Sequence, residues 1–172
     1  LAPIDGPLIE ALELTTAVRV VDVGCGSGAT TASVLRSAPA GSVAHGFDLS
    51  PALIDVARRR WVTGGDSLAF DVADMASATP PQPAYDRLVS RLGVMFFNDA
   101  PAAFANLHRW LAPWGRFAFA VWGAVEDNAW MQIAREVVAS VADVPPIDTA
   151  AQVRFDTVRQ RCCYRSSSGQ AL

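Results

Sequence analysis

The chain has 172 residues, 51% of them hydrophobic and 18% charged, so it lies in the globular range and is no disordered tail. All 14 basic residues are arginines, which excludes a Schiff-base lysine, a P-loop lysine and a lysine general base. A net charge of −3 further argues against a protein that tracks nucleic-acid phosphates.

The length predicts a single domain with a substantial core. Three cysteines (Cys25, Cys162, Cys163) and two histidines (His45, His108), with no C-x-x-C pair, predict neither a disulfide framework nor a metal site. The apolar run 117–125 is far short of the roughly 20 residues of a membrane span, and Asp5 interrupts the opening stretch, so no signal peptide is expected. The expected setting is a reducing compartment, the cytoplasm. The oligomeric state is left open.

Residues 18–23 (VRVVDV) read as a buried strand that stops at the glycine cluster 24–28. A short helix over 29–37, a strand over 42–47 and a second helix opened by Ser50-Pro51 follow, with Leu53, Ile54, Ala57 and Trp61 sharing one face. A weaker strand spans 68–72 and a fourth spans 87–92. Asp99 and Pro101 open a helix whose apolar positions are Phe104, Leu107 and Leu111, closed by Pro113-Trp114-Gly115. A fifth strand covers 116–122, and Asn128 caps a last helix with Ile133, Val137, Val138 and Val141 inward. Five strands alternating with helices imply an α/β fold with a parallel sheet, whose ligands bind outside the carboxyl ends of the strands. Residues 1–144 are the expected binding domain. Residues 145–172 are expected to be irregular or poorly packed.

The glycines Gly24, Gly26 and Gly28 stand directly after a strand and before a helix, where a backbone without side chains can touch a ligand. Asp48 ends the next strand, placed to accept both hydroxyls of an adenosine ribose. To this point NAD and S-adenosylmethionine are served alike. Asp22 would be awkward beside a pyrophosphate but can help hold a cationic amino group. Asp74, after the third strand, can accept a hydrogen bond from an adenine amino group.

With these residues together, the chain resembles the class I S-adenosylmethionine-dependent methyltransferases, near the ubiquinone/menaquinone-biosynthesis type of small-molecule methyltransferases. The matching stretches are VVDVGCGSGATT, GFDLSPALIDVARRR, FDVADM, YDRLVSRLGVMFFNDAPAAFANLHRWLAPWGRFAFAVW and DNAWM, within residues 18–131. The resemblance implies a Rossmann-like methyltransferase fold with S-adenosylmethionine as cofactor, and transfer of a methyl group to a small-molecule acceptor. It places the loop glycines at Gly24, Gly26 and Gly28 and the ribose acid at Asp48, with Leu49 beside the adenine. The adenine-side acid falls at Asp74 with Met75, the fourth-strand contacts at Ser90 and Arg91, and the acid that opens the first motif at Asp22. No catalytic residue is named.

Two departures qualify the match. Trp114 stands where the family usually has a second glycine, and no sixth or seventh strand is legible after Val141. The chain is therefore expected to be a fragment, or one whose end has diverged, with little transfer activity as it stands. The alternatives are a NAD-dependent oxidoreductase and a methyltransferase-like binding domain without turnover. Of the remaining candidates, His108 reads as a surface histidine, His45 as packed within its strand, Arg58-Arg59-Arg60 as a solvated helix face, and Met95, Phe96 and Phe97 equally as substrate pocket or as core.

Overall fold

The β-branched run that ends at Gly24 forms the middle strand of a parallel sheet. In the computed structural model, which describes residues 2–123 and 128–143, five strands stand in the order β3-β2-β1-β4-β5. They are β1 (Arg19–Val23), β2 (Val43–Asp48), β3 (Leu68–Val72), β4 (Tyr85–Arg91) and β5 (Leu111–Ala120). Every neighbouring pair is parallel. The chain steps outward from β1 to β3, returns to the other side of β1 for β4, and continues to β5. The reversal lies between β1 and β4, the place where open α/β sheets hold their ligands.

The helices are α1 (Ala2–Glu10), α2 (Ala29–Ser37), α3 (Pro51–Arg60), α4 (Ala100–Trp110) and α5 (Ala129–Ala139). The described residues fall into two compact units that divide between Ala120 and Val121. In the first unit, Leu8 and Leu12 pack with Val18, Val20, Val34, Val89 and Ala118 in one buried cluster, and Ile54 and Ala57 of α3 pack with Cys25 and Phe70 in another. Two helix starts form as read: the Ser50 hydroxyl accepts from the Leu53 N–H at 3.3 Å and the Asp99 carboxylate from the Ala102 N–H at 3.0 Å.

Several expectations are corrected. Leu53 is 42% exposed, so α3 buries only Ile54 and Ala57 of the expected face. On α4 the buried positions are Ala103, Asn106, Leu107 and Trp110, whereas Phe104 is 39% exposed and Leu111 belongs to β5. The aromatic Trp110 decides that rotation: it meets Phe47 edge-on at 5.2 Å and stacks on Tyr85 at 6.0 Å between ring centres. Pro113-Trp114-Gly115 does not close α4 but forms an irregularity inside β5, where the register passes from Tyr85↔Leu111 to Arg87↔Arg116. The Trp114 indole donates to Asp86 at 3.1 Å and holds it there.

In the second unit α5 forms, but Ile133, Val137, Val138 and Val141 are exposed. It is the only helix or strand among the described residues of that unit, so its apolar stripe has no partner there. Asn128 donates to the Gly123 carbonyl at 3.1 Å instead of capping α5. The expected irregular end at 145–172, and with it any further strand, lies outside the described residues. Among the described residues no helix is long and apolar enough to cross a membrane.

Candidate cofactor site

The carboxyl ends of β1, β2 and β4 and the turn after β3 surround a cleft of about 310 Å³. One wall begins at the glycine loop. The Gly24 and Cys25 N–H groups both donate to the Phe47 carbonyl, at 2.9 and 3.0 Å, which folds the loop back over the end of β2. A side chain at Gly24, where φ is +71°, would stand 2.8 Å from the Cα of Gly93, so the loop and the turn after β4 touch backbone to backbone. The pair works only with glycine on both sides, because a Cβ at Gly93 would lie 2.5 Å from the Val23 carbonyl oxygen. Gly93→Ala is therefore expected to destabilise the fold by about 2 kcal/mol or more, since the clash is with backbone that cannot rotate away. Thermal unfolding measures this, and an unchanged melting temperature would refute the close approach.

Both carboxylate oxygens of Asp48 are hydrogen-bonded. Its Oδ2 accepts from the Gly26 N–H at 2.8 Å and its Oδ1 from the Ser50 N–H at 2.9 Å. It thus ties the glycine loop to the start of α3, and its side chain stands in the cleft wall beside Leu49. Beside it, where the Ala73 N–H donates to the Asp48 carbonyl at 3.1 Å, Asp74 accepts from the Ala76 N–H at 2.9 Å and the Ser77 hydroxyl at 3.1 Å, making a closed turn that sets the buried Met75 in the cleft wall. The Asn106 amide, donating to the Met75 and Ala78 carbonyls at 3.0 Å each, pins this turn to α4.

Of the expected site residues, the structure brings Gly24, Asp48, Leu49, Asp74, Met75 and Arg91 to the cleft. The others do not line it. Gly26 contributes its N–H to Asp48, and Gly28 is pressed under the Phe70 ring, 2.5 Å from where its Cβ would be. Ser90 is wholly buried, donating to the Val23 carbonyl at 2.6 Å and accepting from the Val94 N–H at 3.2 Å, so its hydroxyl braces β1 against β4 and does not line the cleft.

Asp22 is 1% exposed and does not line the cleft either. Its Oδ2 accepts from the Thr31 hydroxyl at 2.6 Å, while its Oδ1 is buried without a hydrogen-bond partner. Burial pushes its pKa up from 3.8 to about 7, against the Thr31 hydrogen bond and the Arg91 charge, which favour the ionised form.

Sequence reasoning missed Gly93, Asn106 and Asp5. Asp5 of α1 pairs with Arg91, Oδ1 to Nη1 at 3.1 Å. Phe96 and Phe97, left open as pocket or core, line the cleft, and Phe96 is 76% exposed.

His45 is more than a packed strand residue: it bonds Tyr85 Oη at 2.9 Å and Asp71 at 2.7 Å, in a network away from the cleft, and burial pushes its pKa down. His108 is exposed, as read. Burial raises the Cys25 thiol pKa well above its ordinary value, which leaves it a packing group and no nucleophile.

A family model described as a methyltransferase domain matches residues 20–115. The aklanonic acid methyltransferase of Streptomyces sp. (strain C5) is 30% identical over 118 residues, 68% of this chain and 54% of that protein. Phosphoethanolamine N-methyltransferase 1 of Arabidopsis thaliana is 32% identical over 108 residues, 63% of this chain and 22% of that protein. The crystal structure of an S-adenosylmethionine-dependent methyltransferase from Mesorhizobium loti superposes with a TM-score of 0.60 at 28% identity, over 69% of this chain and 53% of that one. The chain thus spans about half the length of the first of these relatives and of the solved structure. With that family model matching more than half of its length, the chain belongs to the methyltransferase domain family.

Proposed function

We propose that this chain binds S-adenosylmethionine in the cleft and transfers the methyl group to a small, apolar acceptor. The observation that carries this reading is Asp48. Both of its oxygens are already aimed by backbone N–H donors, and each keeps acceptor capacity for one of two vicinal ribose hydroxyls. The residues present fit the rest of the cofactor. Asp74 and Met75 offer an acceptor and an apolar surface to an adenine, and Asp22, which directly precedes the cleft-lining Val23, carries a buried unpartnered oxygen suited to a cationic amino group.

When bound, the cofactor would supply a methyl group on a sulfonium, from which the neutral thioether is a good leaving group. The chain's part is to position. The closed Asp74 turn and the Gly24–Gly93 contact fix two walls of the cleft before any ligand arrives. No histidine lines the cleft, and Asp48 and Asp74 are engaged in holding the loops, so no side chain is assigned as a general base. At the far end, the aromatic faces of Phe96 and Phe97 favour an uncharged or planar acceptor. A net charge of −3 suits such a molecule better than a nucleic acid, and the buried free thiol of Cys25 suits a cytoplasmic setting.

Calorimetry with S-adenosylhomocysteine and with NAD on the same preparation tests the cofactor, and transfer of labelled methyl to an uncharged phenol and to phosphoethanolamine tests the acceptor. Binding of S-adenosylhomocysteine alone is expected, with little transfer by the chain as it stands and what there is going to the phenol. Binding of NAD in its place overturns the assignment.

A further inference from the structure

The helix that precedes the family match carries a side chain that reaches a cleft-lining arginine. Leu8 of α1 and Leu12 just beyond it are buried in the main core, which fixes the helix against the sheet. Asp5 lies about one turn before Leu8, on the same side of the helix. It reaches the end of the sheet, where its Oδ1 stands 3.1 Å from Arg91 Nη1 and accepts from the Thr30 hydroxyl at 3.4 Å.

Both side chains of the Asp5–Arg91 pair are about four-fifths buried, with 18% and 21% exposure. Such a pair is screened less than a surface bridge and holds its geometry better. Arg91 lines the cleft and Asp5 does not, so Asp5 acts on a ligand indirectly, through the guanidinium it holds. A guanidinium presents five N–H donors in one rigid plane. Anchoring one of its terminal nitrogens on Asp5 sets that plane and leaves the remaining donors for an anion in the cleft. Beside it, on the neighbouring strand β1, the buried Asp22 offers the unpartnered Oδ1. A fixed cation and an orphaned acceptor near one another suit a zwitterion, an α-amino acid group with its carboxylate toward Arg91 and its ammonium toward Asp22.

We infer that Asp5 is a positioning residue, holding Arg91 in the orientation that receives the carboxylate of the ligand's amino-acid tail. The inference rests on the cofactor reading above. It adds a residue that lies outside the matched segment 20–115.

The test titrates the full chain with two ligands, S-adenosylhomocysteine and methylthioadenosine. Both carry the adenosine and the thioether, and only the first carries the amino-acid group. Asp5→Asn is expected to weaken S-adenosylhomocysteine binding by roughly five- to tenfold, the order of coupling between residues in contact, and to leave methylthioadenosine binding unchanged. Asp5→Glu, which restores a carboxylate to pair with Arg91, is expected to recover most of the loss. Equal weakening of both ligands in Asp5→Asn would show that α1 merely supports the fold, and weakening of neither would show that Arg91 needs no partner. Either result overturns the inference while leaving the cofactor reading in place. A parent chain that binds neither ligand overturns both.

Discussion

Asp22→Asn is expected to raise the melting temperature of the ligand-free protein at pH 8 and at the same time to weaken its hold on S-adenosylhomocysteine. In the parent, Asp22 is buried with one oxygen unpartnered, and its pKa is pushed up to about 7 from 3.8. The sign follows from where the proton sits. Below about pH 4 the carboxyl is protonated in both the folded and the unfolded chain, and burial carries no charge penalty. Between about pH 4 and 7 the unfolded chain releases a proton that the folded chain keeps, so stability falls as pH rises. Above pH 7 the whole penalty is present, about 4 kcal/mol for a shift of about three units. Asparagine keeps an acceptor for Thr31 and carries no charge, so the variant escapes that penalty.

At 2–4 °C per kcal/mol for a chain of this size, the gain at pH 8 is about 10 °C, shrinking to nothing near pH 4. A thermal-shift series from pH 4 to pH 8 measures it, and a pH-independent difference would refute the account. In calorimetry the loss of the buried negative charge, which draws the ligand ammonium from behind the cleft-lining Val23, is expected to weaken S-adenosylhomocysteine by about 1–3 kcal/mol. Unchanged affinity for that ligand, with tighter binding of NAD, would instead point to a site for a pyrophosphate, which an ionised Asp22 repels. Stability given up by a buried charge and returned on ligand binding is the pattern of a functional site.

How much of this site could be read from the chain depends on sequence distance. Strand alternation, the Ser50-Pro51 and Asp99 starts, and the glycine loop followed by Asp48 are local signals, because capping and tight turns require particular residue types at fixed offsets. Each forms as expected. The errors arise where distant residues choose between local options. On α4, Phe104 and Ala103 both continue a helical stripe, and only the packing of Trp110 on Phe47 and Tyr85 turns Ala103 inward. Ser90 occupies a strand end like a ligand contact, yet the Val23 carbonyl, 67 residues earlier in the chain, takes its hydroxyl. Gly93 looks like any turn glycine until the Gly24 loop lies against it. Asp5 and Arg91 are 86 residues apart, and no periodicity connects them. The wall that nearby sequence builds was legible, and the braces behind it were not.

Asp48→Ala is expected to cost more than the loss of one ribose contact. Removal of the carboxylate alone weakens S-adenosylhomocysteine by about 1–3 kcal/mol, because two bound hydroxyls lose their acceptor in a closed site. The structure adds a second loss. The same two oxygens tie the Gly26 N–H of the loop to the Ser50 N–H at the start of α3, and alanine frees both donors. The loop then loses the bond that holds it over the cleft, and its ordering must be supplied by ligand binding. The expected total is more than about 3 kcal/mol in affinity, beyond a hundredfold, with about 1–2 kcal/mol of fold stability lost as well. Asp48→Asn separates the two losses. It keeps one oxygen to accept from a backbone N–H but turns an amide N–H₂ toward the other, so it should fall between the parent and the alanine variant in both affinity and melting temperature. Calorimetry and thermal unfolding on the three proteins give the order. An alanine variant that binds S-adenosylhomocysteine within twofold of the parent would remove Asp48 from the site, and with it the observation on which the cofactor reading stands.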